Sequence, residues 1–168
     1  RKGIIYNLLC PSIKAWHAGK SRWKKDINLN DYSIGIELEN NGHNFNYPKF
    51  TKNQYQATNS LIKFLFNNFR IKNQDVIFHS DISPNRKKDP GEKFFLNKLH
   101  FNRFSNLKAK KNNYSINELL VLYGFNSQYI KQYKNQCIIA VKRSLNYENI
   151  NSDLSKNFYY DFYNLLFK

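Results

Sequence analysis

Hydrophobic and polar positions in the first half of the chain follow the patterns of β-strands. Residues 4–9 form a short apolar run with β-branched side chains, and residues 75–79 are a further strand candidate. Residues 33–39 alternate, so that the apolar side chains face one side and Glu37 and Glu39 face the other. We predict a β-strand at each of the three segments.

An amphipathic helix is predicted between the second and third of these strands. Thr51 and Gln54 have the spacing of a capping box, and apolar side chains then repeat at helical spacing over residues 52–69. Strands that alternate with a helix are typical of the α/β class. We therefore expect residues 1–107 to form an α/β domain, with a mixed β-sheet flanked by helices.

The pattern becomes helical in the last third of the chain. The lysine-rich stretch at residues 105–113 predicts a linker, and Ser115 forms a second capping box with Glu118. Three helical patterns follow, over residues 115–124, 128–145 and 154–167. Because short loops join these helices, we predict a small three-helix bundle over residues 108–168.

The composition excludes several classes of protein. The chain has 168 residues, of which 41% are hydrophobic and 17% aromatic, and this content argues against intrinsic disorder. The two cysteines, Cys10 and Cys137, are too few for a disulfide scaffold and match no zinc-binding spacing. No apolar run approaches the roughly 18–20 residues of a membrane span, so we expect no transmembrane segment.

The net charge of +15 indicates an anionic partner. Nucleic acid, anionic lipid and the acidic polymers of a bacterial envelope all meet this condition. The alternative explanation is the codon usage of an AT-rich genome, which favours lysine and asparagine. The chain has no helix-turn-helix, RNA-recognition or zinc-finger signature, so we rank nucleic acid last and expect no nucleic-acid partner.

The polar loop after His79 carries the most informative candidate chemistry. His79 lies at the end of a predicted strand, and Asp89 follows ten residues later in a Pro-Gly turn that can aim its carboxylate back. Imidazole and carboxylate groups are ordinary zinc ligands. Lys87 could direct its ammonium group at a polarised carbonyl, and Glu37 could accept a proton from water at the metal.

The same residues also allow a purely structural explanation. A histidine at a strand end is more often packed or exposed than metal-binding. Glu37 and Glu39 could form the solvated face of an edge strand, and the basic run at residues 86–88 could be an ordinary hydrated loop.

Four sequence blocks in the first hundred residues occur together in one known family. They are Ala-Trp-His-Ala-Gly at 15–19, Leu-Asn-Asp-Tyr-Ser-Ile-Gly-Ile-Glu-Leu-Glu-Asn at 29–40, Phe-His-Ser-Asp-Ile-Ser-Pro at 78–84 and Arg-Lys-Lys-Asp-Pro-Gly at 86–91. In this order and spacing, the blocks resemble the zinc-dependent N-acetylmuramoyl-L-alanine amidases of the type-2 family. That family is related to T7 lysozyme and the peptidoglycan recognition proteins.

The resemblance implies a role for each candidate residue. His79 and Asp89 would be two ligands of the cofactor, Zn²⁺. Glu37 would be the catalytic base, with Glu39 as the alternative, and Lys87 would stabilise the transition state. The implied reaction is hydrolysis of the amide that joins N-acetylmuramic acid to L-alanine in peptidoglycan or muropeptides.

The resemblance also implies a substrate groove and a binding tail. Trp16 and His17 would line the groove near the substrate. Residues 114–168 are similar in length and pattern to the three-helix peptidoglycan-binding domain of the family's bacterial branch. We therefore expect a monomer of the cell envelope or periplasm, and the alternative is a cytoplasmic enzyme that recycles wall fragments.

Two features depart from the family's pattern. Family members carry a further zinc-ligand histidine upstream of the block that contains His17, and we expect that segment to have been removed or to lie outside the sequence, which begins at Arg1. Asn28 stands where relatives often have an arginine, which leaves the saccharide preference open. The alternative function is therefore a truncated or degenerate homologue that binds peptidoglycan without cleaving it.

Overall fold

Helices form most of the regular structure in the computed structural model, which describes residues 1–105, 107–111 and 113–167. The α-helices are α1 (Lys52–Asn68), α2 (His79–Ile82), α3 (Ile116–Tyr123), α4 (Ser127–Ser144) and α5 (Lys156–Phe167). One antiparallel sheet pairs β1 (Arg22–Trp23) with β2 (Asp26–Ile27). Of the helices described, none is both long enough and apolar enough to cross a membrane.

Two helices begin at the capping boxes that the sequence predicts. Before α1, the Thr51 hydroxyl accepts a hydrogen bond from the Gln54 N–H at 3.2 Å, and the Gln54 side chain accepts one from the Thr51 N–H at 3.0 Å. Ser115 and Glu118 form the same reciprocal pair before α3. Each pair satisfies two N–H groups near the start of a helix, where intrahelical acceptors are lacking.

Helix α3 ends where the small sheet approaches it. Gly124 follows α3 with a φ of +125°, and a Cβ atom at this position would lie 2.2 Å from the Trp23 ring. The Gly124 carbonyl accepts a hydrogen bond from the Lys24 N–H at 2.8 Å, and the Asn126 side chain donates to the Lys24 carbonyl at 2.6 Å. Glycine is therefore required both by the backbone conformation and by the close approach of the tryptophan.

The predicted mixed β-sheet is wrong in its extent. Residues 4–9 and 33–39 form no β-ladder with any described segment, and His79 begins α2 instead of ending a strand. A strand needs a neighbour that pairs with its backbone N–H and carbonyl groups, and the described segments supply none here. Their apolar side chains consequently stay accessible: Ile4 is 63% exposed and Ile34 is 37% exposed.

One buried core contains residues from both sides of the predicted domain boundary at residue 107. Its members before the boundary are Ala18, Trp23, Leu29, Ile82 and Phe104. These side chains pack with buried residues of α3, α4 and α5, among them Leu119, Ile138 and Phe162. A second, smaller core beside α1 consists of Tyr47, Phe50, Tyr55, Phe94 and Leu99. The division into two domains stays a prediction, but the two parts share a core.

The predicted linker at residues 105–113 contains Asn106 and Asn112, which lie outside the described residues. Within the described portion, the Lys111 ammonium donates a hydrogen bond to the Glu118 carboxylate at 2.6 Å. This contact joins the lysine-rich stretch to the first turn of α3. At Lys111, the predicted linker therefore contacts the helix that follows it.

Two aromatic residues of α5 should differ strongly in their contribution to the free energy of unfolding. Phe162 is fully buried, whereas Tyr160 is 62% exposed. Phe162→Ala should lower the free energy of unfolding by about 3–5 kcal/mol, because lost apolar burial and the remaining cavity both contribute. Tyr160→Ala is the control and should change it by less than about 0.5 kcal/mol. Urea unfolding followed by circular dichroism measures both, and equal losses would contradict the packing of α5.

Candidate active site

A tight loop brings His79 and Asp89 into contact. His79 is the first residue of α2, and after this helix the Lys87 N–H donates to the Ser83 carbonyl at 2.9 Å. The chain then turns back, so that the Ser80 N–H donates to the Asp89 carbonyl at 3.0 Å. These backbone hydrogen bonds place the two side chains, ten residues apart in the sequence, next to each other.

The His79 ring lies between a carboxylate and a carbonyl. Its Nδ1 atom is 3.0 Å from Asp89 Oδ2, and its Nε2 atom is 3.3 Å from the Ala18 carbonyl oxygen. A carbonyl can only accept a hydrogen bond, so Nε2 carries a proton and donates it. Nδ1 is then the nitrogen that faces the carboxylate, and a proton or a metal cation can join the two.

The electrostatics of this pair suit a cation. Burial acts to raise the pKa of Asp89, but the hydrogen bond and charge of His79, together with the charge of Lys87, outweigh burial and hold that pKa below its ordinary value. A metal-binding histidine typically donates its other ring N–H to a carbonyl, as His79 does to Ala18. The donor set, one imidazole nitrogen and one carboxylate oxygen, therefore fits zinc.

His79 and Asp89 are two candidate metal ligands, whereas a catalytic zinc usually has three protein ligands. Across residues 1–105, 107–111 and 113–167, no group of three or more His, Cys, Asp or Glu side chains could hold a metal ion. The sequence prediction of His79 and Asp89 as neighbours agrees with the geometry, and a third protein ligand is not found among these residues.

The block at residues 15–19 adjoins the pair through Ala18. His17 Nε2 is 3.0 Å from the Ser33 hydroxyl, and the ring lies against Gly35, where a Cβ atom would come within 2.7 Å of it. His17 Nδ1 is buried and has no hydrogen-bond partner within the described part of the chain. Trp16 is 81% exposed, so its indole is accessible to a ligand.

The two glutamates of the predicted strand differ in their contacts. Glu37 is exposed and forms no hydrogen bond or ion pair with a described residue, including His79 and Asp89. Glu39 is exposed and forms an ion pair with Arg1, the first residue of the given sequence. The structure therefore brings His79 and Asp89 together, whereas Glu37 is not joined to them.

Sequence reasoning missed the buried contacts that hold α2. Asp81 is fully buried, and its Oδ2 atom accepts hydrogen bonds from the Arg103 guanidinium at 2.9 Å and from the Phe78 N–H at 3.0 Å. Its Oδ1 atom accepts a hydrogen bond from the Tyr123 hydroxyl at 2.9 Å. The sequence shows an aspartate two residues after His79 and an arginine within the aromatic segment 101–104. Neither position indicates which residue the side chain contacts.

Arg103 is buried with its charge compensated. Burial acts against the charged guanidinium, but the charge of Asp81 outweighs burial and raises the pKa of Arg103. The guanidinium carbon also lies within 5.0–6.0 Å of the centroids of four aromatic rings, those of Trp23, Phe78, Phe104 and Tyr123. Such contacts add cation–π attraction to the ion pair.

A cleft of about 460 Å³ lies beside the same loop. Its lining includes three cationic side chains, Lys20, Arg22 and Arg86, and the phenols of Tyr129 and Tyr133 on α4. Arg86 is held in place by hydrogen bonds to two backbone carbonyls at 3.2 and 3.1 Å. No carboxylate of a described residue forms an ion pair with these three cations. The cleft can therefore accept an anionic ligand.

Comparisons with known proteins agree on one family. The sequence profile described as N-acetylmuramoyl-L-alanine amidase matches residues 1–92. N-acetylmuramoyl-L-alanine amidase AmiD of Escherichia coli K12 is 42% identical over 98 residues, which are 55% of this chain and 36% of AmiD. The 1,6-anhydro-N-acetylmuramyl-L-alanine amidase AmpD of Haemophilus influenzae is 37% identical over 95 residues, which are 56% of this chain and 50% of AmpD. The chain thus spans half or less of these relatives.

Solved structures match nearly the whole chain. AMPDH3 from Pseudomonas aeruginosa aligns with a TM-score of 0.75 and 27% identity, over 95% of this chain and 71% of that one. The complex of E. coli AmiD with anhydro-N-acetylmuramic acid-L-Ala-D-gamma-Glu-L-Lys aligns with a TM-score of 0.73 and 28% identity, over 96% of this chain and 71% of that one.

The buried ion pair of Arg103 with Asp81 should contribute more to the free energy of unfolding than the exposed pair of Lys111 with Glu118. Arg103→Met should lower the free energy of unfolding by about 3–5 kcal/mol, because it leaves the Asp81 carboxylate buried without a counter-ion. Lys111→Met removes the exposed pair with Glu118 and should cost no more than about 1 kcal/mol. Thermal and urea unfolding measure both, and similar small losses would show that Asp81 does not depend on Arg103.

Proposed function

The chain belongs to the N-acetylmuramoyl-L-alanine amidase family, and from this premise we propose that it hydrolyses the amide between N-acetylmuramic acid and L-alanine in peptidoglycan or its fragments. The observation that carries the proposal is the contact of His79 with Asp89, since both lie in blocks typical of the family and fit zinc. The substrate bound in the E. coli AmiD complex, an anhydro-N-acetylmuramic acid peptide, contains the bond in question.

We assign the metal to the pair of His79 and Asp89. His79 would offer Nδ1, because its Nε2 proton is engaged by the Ala18 carbonyl, and Asp89 would offer its carboxylate. Held by these two residues, Zn²⁺ would supply Lewis acidity for the amide carbonyl and would lower the pKa of a bound water toward neutrality. The Ala18 contact keeps the imidazole in the required tautomer and orientation.

Two further side chains would move and stabilise charge. Glu37, exposed and free of other hydrogen bonds within the described chain, would accept a proton from the attacking water and deliver it to the amino group of the departing L-alanine. The new C–O bond replaces the broken C–N bond. Lys87 would place its ammonium against the negative charge that develops on the carbonyl oxygen. Glu39 is the alternative base on the same segment.

Substrate binding would use the surfaces on either side of the pair. Trp16 offers an exposed aromatic face, on which a sugar ring can pack, and His17 lies beside it. The cleft with Lys20, Arg22 and Arg86 suits the carboxylates of a stem peptide. Asn28 belongs to the same lining as these cations.

We propose that residues 108–168 contribute affinity for the cell wall, and that the protein acts as a monomer in the cell envelope or periplasm. Lysines near Tyr114 and Leu122 line a second cleft of about 550 Å³, and they suit an anionic polymer. Binding to an insoluble substrate would raise the local concentration of the site. A cytoplasmic role in recycling of wall fragments is the alternative location.

A non-catalytic peptidoglycan-binding role is the second candidate function. It is favoured by the donor set, in which the described residues supply two metal ligands where a catalytic zinc usually has three. The deciding experiment incubates the 168-residue chain and Zn²⁺ with an anhydro-N-acetylmuramic acid peptide and measures released L-alanyl peptide by mass spectrometry. Release that requires zinc supports the amidase, and binding without release supports the second role.

Substitutions should separate ligands from the groups that act on the substrate. Lys87→Ala and Glu37→Ala should keep zinc and lower kcat, the former by about 100- to 1,000-fold, because its charge acts mainly in the transition state. His79→Ala should lose both zinc and activity. Elemental analysis and rate measurements test this, with Lys88→Ala as the matched control. Loss of zinc in Lys87→Ala or Glu37→Ala would contradict the role assigned to that residue.

Wall binding should be measurable without catalysis. The chain with His79→Ala should still sediment with purified peptidoglycan sacculi, because the surface of residues 108–168 is unchanged. Replacing Lys108, Lys110 and Lys111 by glutamine should reduce the sedimented fraction at low salt, since an ionic contribution is lost. A chain that stays in the supernatant at all salt concentrations would contradict the proposed wall affinity.

A further inference from the structure

Helix α2 is too short to be stable without contacts to the rest of the protein. It has four residues, so it forms hardly more than one helical turn, and isolated helices this short are unstable in water. His79 is its first residue, so the position of the imidazole depends on whatever fixes the rest of the helix. The side chain that does so is Asp81, which is fully buried.

Asp81 and its neighbour Ser80 connect the two ends of the loop that carries the site. Its Oδ2 atom accepts a hydrogen bond from the Phe78 N–H, immediately before His79. Ser80, between His79 and Asp81, donates its N–H to the Asp89 carbonyl. A displacement of Asp81 would therefore move both His79 and Asp89.

The group that holds the second oxygen of Asp81 comes from the C-terminal helices. Tyr123, the last residue of α3, donates its hydroxyl to Asp81 Oδ1 at 2.9 Å, and the same hydroxyl lies 3.0 Å from the Ser144 hydroxyl at the end of α4. Burial and the charge of Asp81 raise the pKa of Tyr123 above its ordinary value, so the phenol remains a donor.

The Tyr123 ring has little freedom to move. It stacks on Phe125 with the ring centroids 5.1 Å apart, and Trp23 and Phe162 pack against it edge-on with centroids 5.9 Å away. Only 1% of the residue is exposed. The hydroxyl is therefore presented to Asp81 from a fixed position.

We propose that Tyr123 is a positioning residue for the site: through Asp81 it sets the position of α2, and with it that of the His79 imidazole. The C-terminal helices thus have a role in the geometry of the site in addition to any contact with the cell wall. The part of this inference that concerns zinc rests on the proposed function, whereas the part that concerns α2 does not.

The test uses Tyr123→Phe in the full chain, which removes the hydroxyl and keeps the ring. Tyr147→Phe is the matched control, because the Tyr147 hydroxyl also donates to a carboxylate, that of Asp161, but forms no hydrogen bond with the described residues of α2. The Tyr123 hydroxyl also contacts Ser144 and accepts a hydrogen bond from Arg103 at 3.4 Å. Ser144→Ala removes one of these partners and leaves Asp81 intact, so its effect should be smaller and in the same direction.

The first measurement is amide hydrogen exchange of residues 78–89 in metal-free protein. Tyr123→Phe should exchange these amides at least about 10-fold faster than the unsubstituted chain, since α2 opens locally without its support. Tyr147→Phe should leave them unchanged. Unchanged exchange in Tyr123→Phe would overturn the proposal, as would equal acceleration in the control.

The second measurement is zinc affinity by competition with a chelator, together with kcat and KM for a soluble muropeptide. Tyr123→Phe should weaken zinc binding about 10- to 100-fold, the usual effect of losing a group that orients a ligand, and lower kcat with little change in KM. Equal zinc affinity in the two tyrosine variants would overturn the effect on His79. An unsubstituted chain that binds no zinc would contradict the proposed function, and the exchange measurement would still decide the role of Tyr123.

Discussion

A buried carboxylate, Asp81, must be compensated, and this requirement organises the centre of the molecule. An uncompensated charge in the protein interior costs several kcal/mol, so the chain must bring donors to Asp81 wherever they lie in the sequence. Arg103 supplies the counter-ion, Tyr123 supplies a hydroxyl, and Phe78 supplies a backbone N–H. Because these groups come from three separate segments, satisfying Asp81 fixes how the segments meet.

The site follows from this arrangement. With α2 held, the loop after it returns Asp89 to within 3.0 Å of His79, and the Ala18 carbonyl takes the other ring nitrogen. The imidazole therefore presents Nδ1 beside the Asp89 carboxylate. The pKa of Asp89 lies below its ordinary value, and a zinc ion needs a deprotonated carboxylate as its ligand. The side chains that suit the chemistry of the family thus lie on and beside the helix that carries the buried Asp81–Arg103 ion pair.

Local signals were sufficient for the longer helices α1, α3, α4 and α5 and for the return of Asp89 to His79, and insufficient for α2 and for the sheet. The capping boxes at Thr51 and Ser115 operate within one turn, so the sequence contains all that they require. The alternation at residues 33–39 describes which face a strand would bury, but a strand also needs a neighbour, and no described segment pairs with it. The role of Asp81 was not predictable, because Tyr123 lies 42 residues away and no local pattern links the two.

Calorimetric unfolding of the 168-residue chain tests most directly whether Asp81 joins the site and the C-terminal helices into one cooperative unit. If it does, the chain unfolds in a single transition whose calorimetric enthalpy equals its van't Hoff enthalpy. The aromatic near-ultraviolet signal and the helical signal would then be lost together. Two separate transitions, with α3, α4 and α5 unfolding independently of the loop that carries His79, would contradict this dependence.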